Sequence, residues 1–300
     1  MKTLLLHHND LDGYTAGILA MLAYPRAEAR PMNYAKGGTP LEQKDFEEYD
    51  TVVVVDYSLP GELMLWLMEN RNLIWIDHHY SAICQSRKMG YDRAEGLRCP
   101  PGEFICGAEL AWKYFHPQLP IPRFLRLVGD YDTFRNSQSQ AFQQEVLPFF
   151  YASQLEMDNL LPRRFSEPGF PLKSVEDFQQ EERCEEWIRK GKVIQAYNQD
   201  YYTRIGKEFS FVRNLWGLRV LCLNCPGHGS LNIKPSFRPL EHDAMLQFAF
   251  NGSGWSYGLY TDTFLKPQVD CSAIAKEFGG GGHRGAAGFS TPALLPGLLE

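Results

Sequence analysis

Length, composition and charge describe a globular protein and restrict its partners. The chain has 300 residues, of which 44% are hydrophobic and 22% are charged, the balance of a soluble globular protein. This length accommodates two domains of ordinary size or one large domain. The formal net charge of −6 disfavours tight, non-specific binding of long nucleic acids, which depends on a basic surface. The negative net charge is compatible with a small phosphorylated substrate that is held by metal ions.

The sequence has no feature that suggests a membrane or a secreted protein. No apolar stretch has membrane-spanning length, and the first residues lead directly into a strand-like run, so we expect a cytoplasmic protein with no membrane partner. The seven cysteines are odd in number and scattered, which favours reduced thiols. Cys222-x-x-Cys225 with His228 would supply half of a zinc site, but no second pair has matching spacing. A strand that runs into a turn is the interpretation we favour there.

Short apolar runs alternate with helical segments in the first half of the chain. Strands are predicted at 3–6, 51–55 and 73–76, with a weaker strand at 28–34; helices are predicted at 13–22, 61–70, 107–115 and 142–161. Residues 84–105 lack periodicity and are predicted to form a loop, as are residues 162–171. The alternation favours an α/β fold with a doubly wound parallel sheet.

The pattern changes in the second half. Residues 175–209 are mostly polar with apolar positions at helical spacing, which indicates a connecting helix. Strand-like runs at 217–223 and 255–261 and a helix at 272–278 follow. We therefore predict a first domain over 1–174, a helical linker over 175–211 and a smaller α+β domain over 212–300.

Three of the predicted strands end in acidic or imidazole side chains. The first runs into residues 7–13 (HHNDLDG), the second into Asp56, and the third into Asp77-His78-His79. In open α/β sheets, ligands bind outside the carboxyl ends of the strands. Residues 129–134 (GDYDTF) offer two more carboxylates. If the strands are parallel neighbours, these side chains gather in one crevice.

The carboxylates of such a cluster cannot all be ionised without a counter-charge, so either several of them are protonated or divalent cations occupy the site. Each like-charge pair about 4 Å apart costs on the order of 4 kcal/mol at an effective dielectric constant of about 20. Imidazole mixed with carboxylates suits Mn²⁺, Fe²⁺, Co²⁺ or Zn²⁺ better than Ca²⁺. The ligands suffice for two ions, and such a pair activates water and stabilises a transferring phosphoryl group.

These motifs resemble those of the DHH phosphoesterase superfamily, which includes single-strand-specific exonucleases, short-oligonucleotide and cyclic-dinucleotide phosphodiesterases and family II inorganic pyrophosphatases. The first motif matches residues 8–13, the second Asp56 and the third Asp77-His78-His79. In the fourth, Asp130 fits best and Asp132 is the competing choice. Near the C-terminus, residues 279–288 (GGGGHRGAAG) are similar to the signature of the associated DHHA1 domain. The five motifs stand in the expected order and span nearly the whole chain.

The resemblance implies a role for each matched residue. It implies two metal ions, for which Mn²⁺ is the expected species. One ion would be bound by His8, Asp10 and Asp56, and the other by Asp12, Asp56, His78 and Asp130. Asp56 would therefore bridge the two ions. His79 would act on the substrate phosphate as a hydrogen-bond donor or acid, and Asp77 would orient its neighbours. The DHHA1-like domain would bind substrate through Gly280, Gly281, Gly282, His283 and Arg284, with the backbone N–H groups of the glycines close to the ligand.

The sequence also departs from the family. Many members carry a Ser-Leu-Arg-Ser-like run before the last helix, whereas this chain has residues 258–261 (GLYT) without an arginine. Tyr260 in that run either stacks on a base or packs in the core.

The leading hypothesis is a metal-dependent phosphodiesterase that hydrolyses short oligonucleotides or small nucleotides. A phosphatase acting on a nucleoside bisphosphate or polyphosphate is one alternative, and a non-catalytic nucleotide-binding sensor is another. The oligomeric state stays open, with a homodimer among the alternatives.

Overall fold

A computed structural model describes residues 2–33, 41–160, 172–225, 242–262 and 266–299, without the side chains of residues 156–160 and 283. The chain divides into two compact units, Met1–Ile194 and Gln195–Glu300. The loop predicted at 162–171 falls outside the described residues. No helix within the described ranges combines the length and the apolar character needed to cross a bilayer.

The first unit is built on a parallel sheet of four strands in the order β2-β1-β3-β4. The strands are β1 (Thr3–His8), β2 (Glu28–Met32), β3 (Thr51–Val55) and β4 (Asn72–Ile76). Residues 4–6 and 52–55 are almost fully buried. Because both faces of the inner strands are covered, they appear in the sequence as continuous apolar runs. The predicted parallel α/β sheet is confirmed.

Helices of the first unit alternate with these strands and then follow them. They are α1 (Leu11–Ala23), α2 (Gly61–Asn70), α3 (Tyr80–Met89), α4 (Gly107–Phe115), α5 (Arg123–Asp132), α6 (Leu147–Leu160), α7 (Val175–Phe178) and α8 (Glu181–Phe209). A 3₁₀ turn (Gln43–Phe46) and a π-helical turn (Phe142–Val146) accompany them. Helix α8 begins in the first unit and ends in the second.

Three helix predictions require correction. The connecting helix predicted over 175–209 is divided into α7 and α8 by a break at residues 179–180. Helix α1 begins at Leu11 rather than at residue 13, because Asp10 caps it. Helix α3 occupies the start of the segment predicted as loop over 84–105; it buries Ala82, Ile83 and Ser86 at helical spacing and ends at Gly90 with φ 84°. The buried residues of α3 span only about one helical turn, which is too short for hydrophobic periodicity to distinguish a helix from a loop.

The second unit holds a six-stranded sheet in the order β5-β6-β7-β8-β10-β9. The strands are β5 (Ser210–Leu215), β6 (Leu218–Asn224), β7 (Ala244–Phe250), β8 (Trp255–Tyr260), β9 (Gly281–His283) and β10 (Ala286–Thr291), and the helix α9 spans Cys271–Glu277. All neighbouring pairs are antiparallel except β6 and β7. One face packs into a core of buried residues from β6, β7, β8, β10 and α9, such as Leu246, Leu259 and Phe289. The predicted α+β character is confirmed.

The cysteines are all free. Cys222 and Cys225 belong to two separate buried clusters, and His228 lies outside the described residues. Both thiols act as apolar core groups here.

Candidate active site

The carboxyl ends of β1, β3 and β4 meet at one edge of the parallel sheet and bring the predicted side chains together. Three groups of ligand-type atoms form there, each with all its atoms within 4.8 Å of one another. The groups are His8, Asp10 and Asp56; Asp12, His78 and Asp132; and Asp56, His78 and His79. Asp56 and His78 each occur in two groups, so the arrangement is one continuous cluster.

Asp56 lies at the centre of this cluster and is 1% exposed. It follows β3 directly and has a left-handed backbone, with φ 51°, a conformation that aspartate adopts more readily than most residues. Burial raises the pKa of its carboxyl group well above the ordinary value, and the negative charge of Asp12 and its neighbours adds to the effect. Strained backbone and unfavourable burial at one residue are typical of a functional position.

The first group combines a strand end with a helix start. The Asp10 carboxylate caps α1 by accepting from the Gly13 N–H at 2.9 Å, and its second oxygen lies 2.8 Å from His8 Nδ1. The His8 Nδ1 atom is 3.8 Å from the nearer Asp56 oxygen. Gly13 is required here because a Cβ atom at that position would lie 2.4 Å from the His8 carbonyl oxygen. The tight turn therefore presents Asp10 and His8 on the same side.

Asp12 is held by the start of another helix. Its two oxygens accept from the backbone N–H groups of Gly107 and Ala108, at 2.6 and 2.7 Å, where the helix dipole of α4 stabilises negative charge. One oxygen is also 3.8 Å from His78 Nε2. Each carboxylate oxygen has two lone pairs, so a cap on α4 leaves capacity for a cation.

The DHH motif at the end of β4 separates into two histidines that face the cluster and one aspartate behind them. His78 Nε2 lies 3.1 Å from Asp56 Oδ1, yet Asp56 Oδ1 has no hydrogen-bond partner among the described residues. Two polar atoms this close without hydrogen-bond geometry suit a shared cation. Asp77 is fully buried and accepts from His79 Nδ1 at 2.7 Å and from the His79 N–H at 3.1 Å.

The side chains around His79 favour its protonated form. Burial of the imidazole lowers its pKa, but the hydrogen bond and the negative charge of Asp77 outweigh burial and raise the pKa to about 9. Burial lowers the pKa of the neighbouring His78. The pKa values of the two histidines are therefore shifted in opposite directions, that of His78 downward and that of His79 upward.

At the fourth motif the structure brings Asp132 into the cluster and does not bring Asp130 there. Asp130 pairs with Arg135, whose Nε lies 2.8 Å from its Oδ1. Asp132 Oδ2 lies 3.5 Å from His78 Nε2, and burial raises the pKa of the Asp132 carboxyl group well above its ordinary value. Asp130 was predicted in preference to Asp132 because the fourth motif was matched without knowing that α5 continues to residue 132. Two residues along a helix point in different directions.

Sequence reasoning missed the contacts that Arg135 and Gly107 make beside the cluster. Arg135 also donates to the buried Glu109, at 2.9 and 3.1 Å, and to the Phe104 carbonyl oxygen at 2.9 Å. A Cβ atom at Gly107 would lie 2.6 Å from Asp56 Cβ. These contacts join residues distant in the sequence, and no local pattern signals them.

The glycine-rich residues of the second unit form an edge strand rather than an open loop. β9 pairs with β10, with Gly281 opposite Gly288. A Cβ atom at Gly280 would lie 2.1 Å from the Gly288 carbonyl oxygen, and Gly282 has φ 142°. The Arg284 side chain donates to the Pro267 carbonyl oxygen. The His283 side chain falls outside the described residues, so its predicted role stays a prediction, as does that of its neighbours.

Comparisons with known proteins agree with this geometry. No protein-family model matches the chain. The uncharacterized protein R106 of Acanthamoeba polyphaga mimivirus is 27% identical over 266 residues, which cover 83% of this chain and 55% of that protein. Oligoribonuclease NrnB of Bacillus subtilis is 25% identical over an alignment of 311 residues, with 95% of this chain and 72% of NrnB covered. The chain thus spans about half the length of the viral relative.

Two solved structures share the fold. The pGpG-specific phosphodiesterase PggH from Vibrio cholerae has a TM-score of 0.50 and 12% identity, over 97% of this chain and 94% of PggH. RecJ from Thermus thermophilus, in complex with Mn²⁺, has a TM-score of 0.50 and 17% identity, over 97% of this chain and 49% of RecJ. The chain is thus similar to NrnB in sequence and to PggH and RecJ in fold, and its ordered motifs resemble those of the DHH phosphoesterase superfamily.

Proposed function

We propose that the protein is a metal-dependent phosphodiesterase that hydrolyses short oligonucleotides or small nucleotides. The observation that carries the proposal is the position of Asp56, a buried carboxylate shared by two groups of ligand-type side chains at the ends of three parallel strands. Buried carboxylates that repel one another either take up protons or bind a counter-charge, and a divalent cation would supply that counter-charge.

The donor set fits two divalent cations. His8, Asp10 and Asp56 would hold one, and Asp12, Asp56, His78 and Asp132 the other, with Asp132 in the place predicted for Asp130. Oxygen and imidazole donors without thiolate favour Mn²⁺ and similar ions. When bound, such a pair polarises water and neutralises charge on the phosphoryl oxygens.

The remaining residues act on the substrate or on the ligands. His79, protonated and 3.9 Å from Asp56 through its Nδ1 atom, would donate a hydrogen bond to the phosphate. Asp77 would hold the His79 ring in place. The α4 amides fix the Asp12 carboxylate, so that its orientation does not depend on substrate.

Short substrates are supported by the relatives and by charge. NrnB is named an oligoribonuclease and PggH a pGpG-specific phosphodiesterase. The net charge of −6 gives little attraction to a long polyanion. A small-molecule phosphatase uses the same cluster and is the second candidate; a sensor is disfavoured because each ligand type is in place.

The experiment is a hydrolysis assay with Mn²⁺ on labelled RNA and DNA of two to about twenty-five nucleotides, with cyclic dinucleotides, a nucleoside 3′,5′-bisphosphate and pyrophosphate in parallel. Asp56→Asn tests the site, and Asp50→Asn, at an exposed aspartate, is the matched control. We expect nucleoside monophosphates, fastest from the shortest substrates and absent with Asp56→Asn.

Three results would overturn the proposal in different ways. Orthophosphate as the product indicates the phosphatase. Binding of nucleotide without turnover indicates the sensor. Equal rates on kilobase single strands and on dinucleotides contradict the preference for short substrates.

A further inference from the structure

A partly buried ion pair beside the metal cluster joins helix α4 to the segment that follows helix α5. Arg135 donates to both oxygens of Glu109, from Nη2 to Oε1 at 2.9 Å and from Nη1 to Oε2 at 3.1 Å. The Nη1 atom also donates to the Phe104 carbonyl oxygen at 2.9 Å. Arg135 therefore binds the chain on both sides of Gly107, the first residue of α4.

The Glu109 carboxylate belongs to the first turn of α4, which also holds Asp12. Glu109 Oε2 accepts from the Cys106 N–H at 3.2 Å and so completes the capping box of this helix. The next two N–H groups, those of Gly107 and Ala108, donate to the two Asp12 oxygens. The position of Glu109 therefore fixes the donors that orient Asp12.

The same ion pair lies against α5, whose last residue is Asp132. Arg135 Nε donates to Asp130 Oδ1 at 2.8 Å, three residues from the end of this helix. A Cβ atom at Gly129 would lie 2.5 Å from Arg135 Nη2 and 2.6 Å from Glu109 Oε2. The pair thus packs directly against the backbone of α5, at a position without a side chain.

This pair is better suited to fixing geometry than to stabilising the fold. Glu109 is buried, and the cost of removing a carboxylate from water offsets most of its attraction to a guanidinium group. The planar guanidinium group fixes direction instead, because its N–H donors match the two oxygens of one carboxylate. Metal ligands commonly depend on such neighbours for their orientation.

The two helices joined by Arg135 serve one metal site. Asp12 and Asp132 belong to the same group of ligand-type atoms, together with His78. We propose that Arg135 is a positioning residue for the second of the two cations, because it keeps these two carboxylates at the separation that one ion requires. This inference rests on the proposed function for the presence of that cation.

The test titrates metal-stripped protein with Mn²⁺ and counts the bound ions by calorimetry and by the paramagnetic resonance of free Mn²⁺. Arg135→Met keeps much of the side chain but removes the guanidinium group. It should weaken binding of the second ion at least about tenfold and keep that of the first within about threefold. The ligands specific to the first ion, His8 and Asp10, lie at the end of β1 and the cap of α1. Equal weakening of both ions, or of neither, would overturn the assignment.

Arg123→Met is the matched control. The Arg123 side chain is 24% exposed, against 25% for Arg135, and it lies at the opposite end of α5 from Asp132. It too pairs with several carboxylates, those of Glu145, Glu181 and Glu185. We expect both variants to lower the unfolding midpoint in chelator but only Arg135→Met to change Mn²⁺ binding. If Arg123→Met weakened the second ion equally, the effect would be one of stability and the assignment would fail.

Glu109→Gln tests whether Arg135 acts through α4. This variant keeps an acceptor for the Cys106 N–H but removes the charge that pairs with Arg135. The double variant should bind the second ion within about threefold of the weaker single variant, because two residues that act as a unit are not additive. Losses that multiply would overturn the route through α4.

Kinetics give a readout that lost stability alone would not produce. On a dinucleotide, Arg135→Met should raise the Mn²⁺ concentration for half-maximal rate about tenfold and keep KM for the dinucleotide within about twofold. A raised KM with unchanged Mn²⁺ dependence would contradict a role at the metal site.

Mn²⁺ binding needs no turnover, so this inference and the proposed function fail separately. If wild type hydrolyses no substrate but Arg135→Met loses affinity for the second ion alone, the positioning role stands and the phosphodiesterase fails. If wild type hydrolyses dinucleotides and Arg135→Met binds both ions as wild type does, the phosphodiesterase stands and the positioning role fails.

Discussion

Two aspartates two positions apart have different environments at the end of α5. Asp132 faces His78 in the cluster, whereas Asp130 is partly exposed and pairs with Arg135. Asp132→Asn should therefore reduce activity by at least about a hundredfold and weaken Mn²⁺ binding. The variant loses a carboxylate ligand of the cation that would stabilise charge in the transition state. Asp130→Asn should keep activity within about threefold and cost about 1 kcal/mol of stability or less. Hydrolysis rates at saturating Mn²⁺ and a thermal melt of each variant test which of the two aspartates is the metal ligand. A larger loss of activity in Asp130→Asn than in Asp132→Asn would restore Asp130 as the ligand.

The Asp77–His79 pair predicts a pH effect. His79 has a raised pKa, so it is protonated at neutral pH and loses the proton, and its donor role, as pH rises toward about 9. Asp77→Asn removes the charge that raises this pKa. The alkaline limb of the kcat/KM profile should therefore move to lower pH. Asp200→Asn, on the surface of α8, should leave the limb in place; an unshifted limb in Asp77→Asn would show that His79 does not supply the proton.

At the scale of the element, helix α4 positions the site through its first turn. Gly107 donates to Asp12 and abuts Asp56, where a Cβ atom would lie 2.6 Å from Asp56 Cβ. Gly107→Ala should destabilise the protein by about 1–3 kcal/mol and reduce activity, since Asp12 and Asp56 must separate. Gly281→Ala, which meets no atom within 4 Å, is the control for stability. Equal melting midpoints for both variants would contradict the close packing of α4 against the cluster.

The sequence predicts elements well where one pattern dominates. Strands β1, β3 and β4 are continuous apolar runs, and each ends in a polar group that marks the site. Strands β5, β7, β9 and β10 are not apparent in the sequence: β5 and β9 are edge strands, β7 contains the polar Gln247, and β10 begins with the small residues Ala286-Ala287-Gly288, all of which weaken the signal. The contact of Asp132 with His78, and the contacts of the α4 amides with Asp12, are between residues far apart in the chain. Those depend on the tertiary structure and could not be inferred from spacing.

At the scale of the whole molecule, the metal cluster affects stability. Asp12 and Asp56 are buried like charges and Asp132 lies partly buried beside them, so without cations they destabilise the first unit at neutral pH. The pKa values of Asp56 and Asp132 are raised, so this penalty grows as pH rises above the ordinary aspartate range. Mn²⁺ at about a hundredfold its Kd should add about 2.7 kcal/mol of stability per site. Calorimetric melts with Mn²⁺ and with chelator measure this gain in stability. Identical melting midpoints under the two conditions would contradict a cation site.

Asp56→Asn isolates the same effect without a metal. It removes the central charge, and asparagine accepts the left-handed backbone at φ 51°. In chelator the variant should melt at a higher temperature than wild type, whereas in Mn²⁺ wild type should gain more. A variant that melts lower in chelator would mean that the Asp56 charge stabilises the fold by itself.

The most direct test of the central claim is a titration of metal-stripped protein with Mn²⁺, in which bound metal and hydrolysis of one dinucleotide are measured on the same samples. We predict two Mn²⁺ ions per chain, hydrolysis that appears as the second site fills, and loss of both properties in Asp56→Asn. Full hydrolysis in chelator, or an Asp56→Asn variant that keeps both ions and the activity of wild type, would contradict it.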